Sequence, residues 1–206
     1  MSKHPKYTTP KGVLSYPYLN SPDTRFVEDG VFKADLIVDI NDAQPLIQQL
    51  DNQLNEFVKQ MEQETGKRQN RKKYRLPYDE HEEDETKIVF KVKQNALVKG
   101  KPIKLLYYDA SRTKVLNPPN IFGGSVVKIA GVSRPYASGA NKGITLSISA
   151  IQMLELTDDY ASTADGSNFG FEEEDGFTVE SSSDQFDESH SNKAIEDEPE
   201  DENGDF

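Results

Sequence analysis

Residues 125–156 read SVVKIAGVSRPYASGANKGITLSISAIQMLEL, and this stretch decides the fold. Ser125 to Arg134 and Ile144 to Leu156 have the makeup of two strands, joined as a long hairpin by a Gly-rich connection through Pro135, Gly139 and Gly143. On the return strand Ile144, Leu146 and Ile148 share one face, but the apolar set restarts at Ile151 and Met153. Because side chains alternate with period two, a slip of one residue predicts a β-bulge near Ala150.

Working back from the hairpin, Gly30 to Val38 places Phe32, Ala34, Leu36 and Val38 in alternation with Lys33, Asp35 and Ile37, the pattern of a half-buried strand. Asn41 or Asp42 then offers a helix N-cap, with Pro45 in the first turn. Ile47, Leu50, Leu54, Phe57 or Val58, and Met61 recur at steps of three and four, and Gly66 is a stop. That apolar stripe is best read as a cover for a core. Strands resume at Lys87 to Lys93 and at Ile103 to Tyr108, with a turn at Gly100 between them. Residues 1–29 form a partly extended arm, with an edge strand at Val13 to Tyr18 interrupted by Pro17. Five or six antiparallel strands under one helix predict a mainly β fold, a small closed barrel of the OB type.

Beyond Leu156 the composition turns abruptly to Asp, Glu, Ser, Gly and Asn. Residues 1–156 carry 23 basic and 18 acidic side chains, a net of +5, whereas residues 157–206 carry 18 acidic ones and only Lys193, a net of −17. The overall charge of −12 therefore describes neither part, and the body is basic enough for a nucleic-acid partner. The acidic stretch has too little apolar area to offset the entropy of ordering, so it is expected to be a disordered tail.

The absence of cysteine excludes a disulfide framework, a Cys zinc site and a Cys nucleophile. No signal peptide or run of roughly 20 apolar residues is present, so no membrane role is expected and an intracellular setting is. There is no P-loop, HExxH or nucleophile elbow, and His4, His81 and His190 are far apart, so neither an enzyme nor a cofactor is expected. The carboxylates of Asp79 to Glu85 are read as a hydrated loop rather than a metal site.

Sequence-tolerant binding of single strands needs a cationic groove beside aromatic platforms. The body has both: Lys91, Lys93 and Lys104 on strand faces, Lys128, Arg134 and Lys142 on or near the hairpin, with Tyr107, Tyr108 and Tyr136 among them. A denser run, Arg71, Lys72, Lys73 and Arg75 with Tyr78 beside it, is a loop able to fold over a phosphate backbone. The tail is a tethered polyanion able to compete with DNA for such a groove. Its last residues, Glu200, Asp201, Glu202, Asp205 and Phe206, combine one ring with several carboxylates, the makeup of a short peptide ligand. The rival reading is a DNA-mimicking inhibitor of a host DNA-binding protein, but a mimic should be acidic on its folded face, and this one is basic.

With these residues in place, the chain resembles the single-stranded DNA-binding proteins of short-tailed bacteriophages from about Gly30 onward. The resemblance lies in Gly30-Val31-Phe32-Lys33-Ala34-Asp35-Leu36, Ile121-Phe122-Gly123-Gly124-Ser125, Arg134-Pro135-Tyr136, Met153-Leu154-Glu155-Leu156 and the terminal Asn203-Gly204-Asp205-Phe206. It implies an OB-fold homodimer that coats single strands during viral replication, recombination and repair, and assists annealing. It also implies a tail that engages the phage DNA polymerase and helicase-primase, and it singles out Tyr136 as the stacking residue. Where one member of that family has a tryptophan soon after its Pro-Tyr, this chain has only Ala137, Ser138 and Gly139.

Overall fold

The computed structural model describes residues 4–158 and Glu172. The expected disorder of the acidic tail and the proposed ligand Glu200 to Phe206 lie outside the described residues. Twelve strands and one long helix follow one another: β1 (Lys6–Thr8), β2 (Gly12–Asp23), β3 (Val31–Asp39), α1 (Ile40–Thr65), β4 (Tyr74–Arg75), β5 (Tyr78–Glu80) and β6 (Lys87–Asn95). A small hairpin, β7 (Leu97–Val98) and β8 (Lys101–Pro102), then precedes β9 (Leu106–Tyr108), β10 (Lys114–Val115), β11 (Val126–Ser138) and β12 (Asn141–Glu155).

Five of these strands close on themselves in the order β11, β2, β3, β6, β12 and back to β11. This is the expected OB-type barrel, with one difference of detail: β6 and β12 run parallel, at Leu146 opposite Val92. An odd number of strands cannot close with every neighbour antiparallel, so one parallel seam is obligatory. Along that edge β12 also pairs parallel with β4 at Lys142 and Gly143, and with β9 at Ala150 to Gln152.

The hairpin is longer than its Gly and Pro residues suggest. Strand pairing continues through Pro135 opposite Ile144 to Ser138 opposite Asn141, leaving only Gly139 and Ala140 as the turn. Gly143 belongs to a strand because β4 lies against it, where a Cβ would overlap the Arg75 carbonyl. The bulge falls where the apolar slip placed it: Ala130 faces Ala150 and Gly131 faces Ile148, so Ser149 is extra. Gly131 is required there, since a Cβ would run into the Ser147 carbonyl.

Val13 to Tyr18 is not an edge strand. It belongs to β2, which pairs with β3 and, at Gly12 and Val13, with β11. Pro17 is accommodated because the β2–β3 register shifts between Ser15 and Tyr18, with Tyr16 at φ 47°. The strand expected at Ile103 to Tyr108 shrinks to β9, because β12 offers it only three residues and Ile103 instead bonds its N–H to the Ala96 carbonyl.

The helix cap is Asp39, two residues before Asn41 and three before Asp42, the two expected positions. Asp39, the last residue of β3, accepts a hydrogen bond from the Asn41 N–H at 2.9 Å, so strand and cap share one residue with no loop between. Pro45 consequently lies in the second turn. The helix ends at Gly66 in the left-handed region, as its sequence indicates. Ala43, Leu46, Leu50, Leu54, Phe57 and Val58 are buried against β3, β6, β11 and β12, with Ile47 and Met61 half-buried at the margin. Each such aliphatic side chain contributes about 1.5–3 kcal/mol of apolar burial. Among the described residues no helix is long and apolar enough to cross a membrane.

Candidate nucleic-acid interface

Alternation along β3 and β6 buries Phe32, Ala34, Leu36, Val38, Ile88, Phe90 and Val92, and turns the intervening residues outward. The register sets Lys33 opposite Lys93 and Asp35 opposite Lys91. Two strands thus place three lysines and one aspartate on a single patch. OB barrels offer oligonucleotides this face of the second and third barrel strands, together with the loops at its two ends.

Here Arg75 from β4 and Tyr136 from β11 complete the wall. Lys33, Asp35, Arg75, Lys91, Lys93 and Tyr136 line one cleft of about 290 Å3, floored by Val92, Leu76 and Ile144. Lys33 is 2.7 Å from Asp23, and Lys91 is 2.7 Å from Asp79, which holds the lysine's pKa above its usual range. Lys93 and Arg75 have no ion-pair partner among the described residues. Partial burial pushes the Asp35 carboxyl up, against the pull of Lys91 and Lys33.

The other expected residues divide into three groups. Arg134 is exposed, two residues before Tyr136 on β11, and opposite Thr145 in the cleft wall. Lys142 adjoins Gly143, the partner of Tyr136, and holds its ammonium 5.8 Å from the Tyr74 ring. Lys72 and Lys73 are exposed in a short 3-10 turn just before Arg75. The structure brings these beside the cleft.

Lys128 and Tyr108 instead line a separate cleft of about 210 Å3 with Arg112, and it shares no residue with the first. Lys104 is exposed between β8 and β9 and lines neither.

Three residues are tied into the fold. Arg71 reaches the helix, with 2.7 Å to Asp51 and 2.8 Å to Asn55. Tyr78 donates to the same Asp51 at 3.3 Å and packs edge-on against Phe90; burial, with the nearby Asp51 charge, pushes its hydroxyl up to about 12. Tyr107 donates at 2.6 Å to the Leu19 carbonyl, and burial raises its hydroxyl too.

Sequence reasoning passed over Lys33, Tyr16, Tyr18, Arg25 and Phe26, which the barrel gathers at the far side of the same patch. Tyr16, Tyr18, Arg25, Lys33 and Asp35 line a cleft of about 340 Å3 that shares Lys33 and Asp35 with the first. The signal for Lys33 was present in the alternation of β3; that for Tyr16 and Tyr18 was hidden by the bulge at Pro17. A further cleft, about 540 Å3, also begins at Asp35 and Lys91 but carries Asp79, Glu80, Glu82 and Glu83, which repel a phosphate backbone.

A barrel of this connectivity, with a cationic face on its second and third strands and tyrosines from the neighbouring strands beside it, agrees with what a family comparison finds. The family described as "Single-stranded DNA-binding protein, Bacteriophage T7" matches residues 11–156. The chain belongs to that family. Its members are binders, not enzymes. No curated protein matches the chain. Among solved structures it is similar to gp2.5, a single-stranded DNA-binding protein encoded by bacteriophage T7, with 21% identity and a TM-score of 0.65 over 86% of this chain and all of that one. The single-stranded DNA-binding protein of bacteriophage Enc34 in complex with ssDNA is similar at 16% identity and a TM-score of 0.52, covering 75% of this chain and 87% of the other. At these identities the likeness concerns the barrel.

Proposed function

We propose that this phage-family protein coats single-stranded DNA through the β3–β6 face, with Tyr136 stacking on bases and Lys93, Arg75, Lys91 and Lys33 holding the backbone. The observation that carries this is the meeting of Tyr136 with four cations in one cleft, drawn from four separate strands. Arg134, Lys142, Lys72 and Lys73 extend the cationic border. Arg71, Tyr78 and Tyr107 serve by holding the fold, because their polar groups are already engaged.

On this reading the protein acts during viral DNA replication, recombination and repair in the host cytoplasm, assists annealing, and works as a homodimer. Residues 1–156 form the DNA-binding domain, and residues 157–206, with their net charge of −17, compete with DNA for the cleft. When displaced, the tail recruits the phage DNA polymerase and helicase-primase through Glu200, Asp201, Glu202, Asp205 and Phe206. Titration with an oligothymidylate at two salt concentrations tests the groove, for the full chain and for one ending at Asp158. The shorter chain keeps the Thr157 N–H bond to Ser125 Oγ that closes the barrel's end. Salt-sensitive binding that tightens on truncation is expected. No binding by the shorter chain refutes the proposal.

A further inference from the structure

The β2–β3 connection carries an arrangement that neither the sequence reading nor the Tyr136 cleft accounts for. Asp23 closes β2 with its side chain only 4% exposed. Its Oδ1 accepts from the backbone N–H and the Nε of Arg25, both at 3.0 Å, and its Oδ2 accepts from Arg25 Nη2 at 3.1 Å. Lys33 Nζ approaches the same Oδ2 at 2.7 Å. The Arg25 hydrogen bonds, then those of Lys33, hold this carboxyl far below the usual range.

One buried carboxylate thus fixes two cations, and both lean on aromatic rings. The Arg25 guanidinium lies 5.0 Å from the Tyr18 ring centre and 5.9 Å from that of Phe26, and Lys33 lies 5.3 Å from Tyr18. Phe26 is 86% exposed, with Val27 beside it at 44%. A large ring standing in solvent, on a support built by an ion pair, is a preformed stacking platform.

The surroundings set a direction. From the Tyr136 cleft the surface divides at Asp35 and Tyr16, which line both branches, into one lined by Tyr18, Arg25 and Lys33 and another bordered by Asp79, Glu80, Glu82 and Glu83. We infer that single-stranded DNA leaving the Tyr136 cleft crosses Lys33 and continues over the Tyr18–Arg25–Phe26 stack, with a base on Phe26, while the acidic branch turns it away. This rests on the DNA-binding reading of the cleft and extends it by a subsite of different energetics. Asp23 offsets one of the two positive charges of Arg25 and Lys33, so this subsite acts mainly by stacking and releases few counterions. Asp23 is its positioning residue.

The test uses the full chain and oligothymidylates long enough to span both clefts. Phe26→Ala is expected to weaken binding at least about fivefold at every salt concentration, leaving the salt slope unchanged, as the loss of one stacked base requires. Phe26→Trp should restore or exceed the original affinity. Asp23→Asn frees both cations, so it should steepen the slope while making Phe26→Ala nearly silent. The chain lacks cysteine, so Val27→Cys or Glu82→Cys carries a single environment-sensitive fluorophore. DNA should alter the label at residue 27 and not that at residue 82. Wild-type affinity in Phe26→Ala, or a response at residue 82 alone, overturns the inference. If Lys93→Ala and Tyr136→Ala both bind normally, the cleft reading itself fails instead.

Discussion

Replacing Lys93 by Ala is expected to change how binding depends on salt, and the structure bounds the effect. Four cations line the Tyr136 cleft, but Lys33 and Lys91 are each 2.7 Å from a carboxylate, whereas Lys93 and Arg75 are free of ion pairs among the described residues. A single strand releases about 0.7 counterion per phosphate neutralised, so two to four contacts give a slope of log affinity against log salt between about −1.4 and −2.8. Raising salt from about 50 to about 200 mM should then weaken binding by roughly 7- to 50-fold. Lys93→Ala should make the slope shallower by about 0.7, because its charge is not already spent. Lys91→Ala should change the slope less, since Asp79 at 2.7 Å already offsets the charge that is removed. Fluorescence anisotropy of a labelled oligothymidylate across a salt series, on full-length protein, measures both slopes. Equal slopes for Lys93→Ala and the parent protein would refute the assignment of a backbone contact to Lys93.

Three further outcomes follow from other parts of the molecule. Tyr136→Ala should cost about 1–3 kcal/mol of oligonucleotide affinity with an unchanged salt slope, whereas Tyr107→Phe, which loses only the bond to the Leu19 carbonyl, should bind normally; the same titrations measure both. Leu54→Ala, at a fully buried position of α1, should lower unfolding free energy by about 2–5 kcal/mol in urea titration while leaving DNA affinity of the folded fraction intact. The carboxyls of Asp39 and Asp84 are held low, that of Asp39 first by the Asn41 N–H and that of Asp84 first by the Thr86 hydroxyl. Groups with lowered folded pKa values stabilise above the ordinary carboxylate range, near about pH 4, and this is lost as pH falls through the folded values. Melting temperature should therefore fall below about pH 4, and less steeply in Asp39→Asn, which keeps a capping oxygen that does not titrate.

The period-two pattern of β3 and β6 was legible because one face of each strand is buried, and burial writes itself into composition. The bulge was legible for the same reason: a one-residue slip moves every apolar side chain to the wrong face unless a residue is added. The hairpin turn was misplaced because Pro and Gly at Pro135 and Gly143 usually punctuate strands. Here the close approach of β4 demands Gly143, and Pro135 lies on β11 beyond the residues that β1 covers.

The candidate interface was half legible. Tyr136, Lys91 and Lys93 stood out as aromatic and cationic residues on strands, but Tyr107 and Lys128 stood out equally, and only the former set shares a cleft. Arg71 and Tyr78 look in sequence like parts of a DNA-binding loop, yet both reach Asp51 on the helix.

By itself the sequence determined the segregation of charge, the alternation that makes a barrel, the apolar stripe that covers it and the family to which the chain belongs, since these are properties of composition and spacing. The tertiary structure alone decided which cations are neutralised, which tyrosines have solvent on their faces, and that Phe26 stands beside Arg25 over a buried Asp23. Those facts depend on closure of the barrel, which sets side by side residues about 40 to 100 positions apart in the chain, such as Lys33, Lys93 and Tyr136. No local pattern encodes that contact.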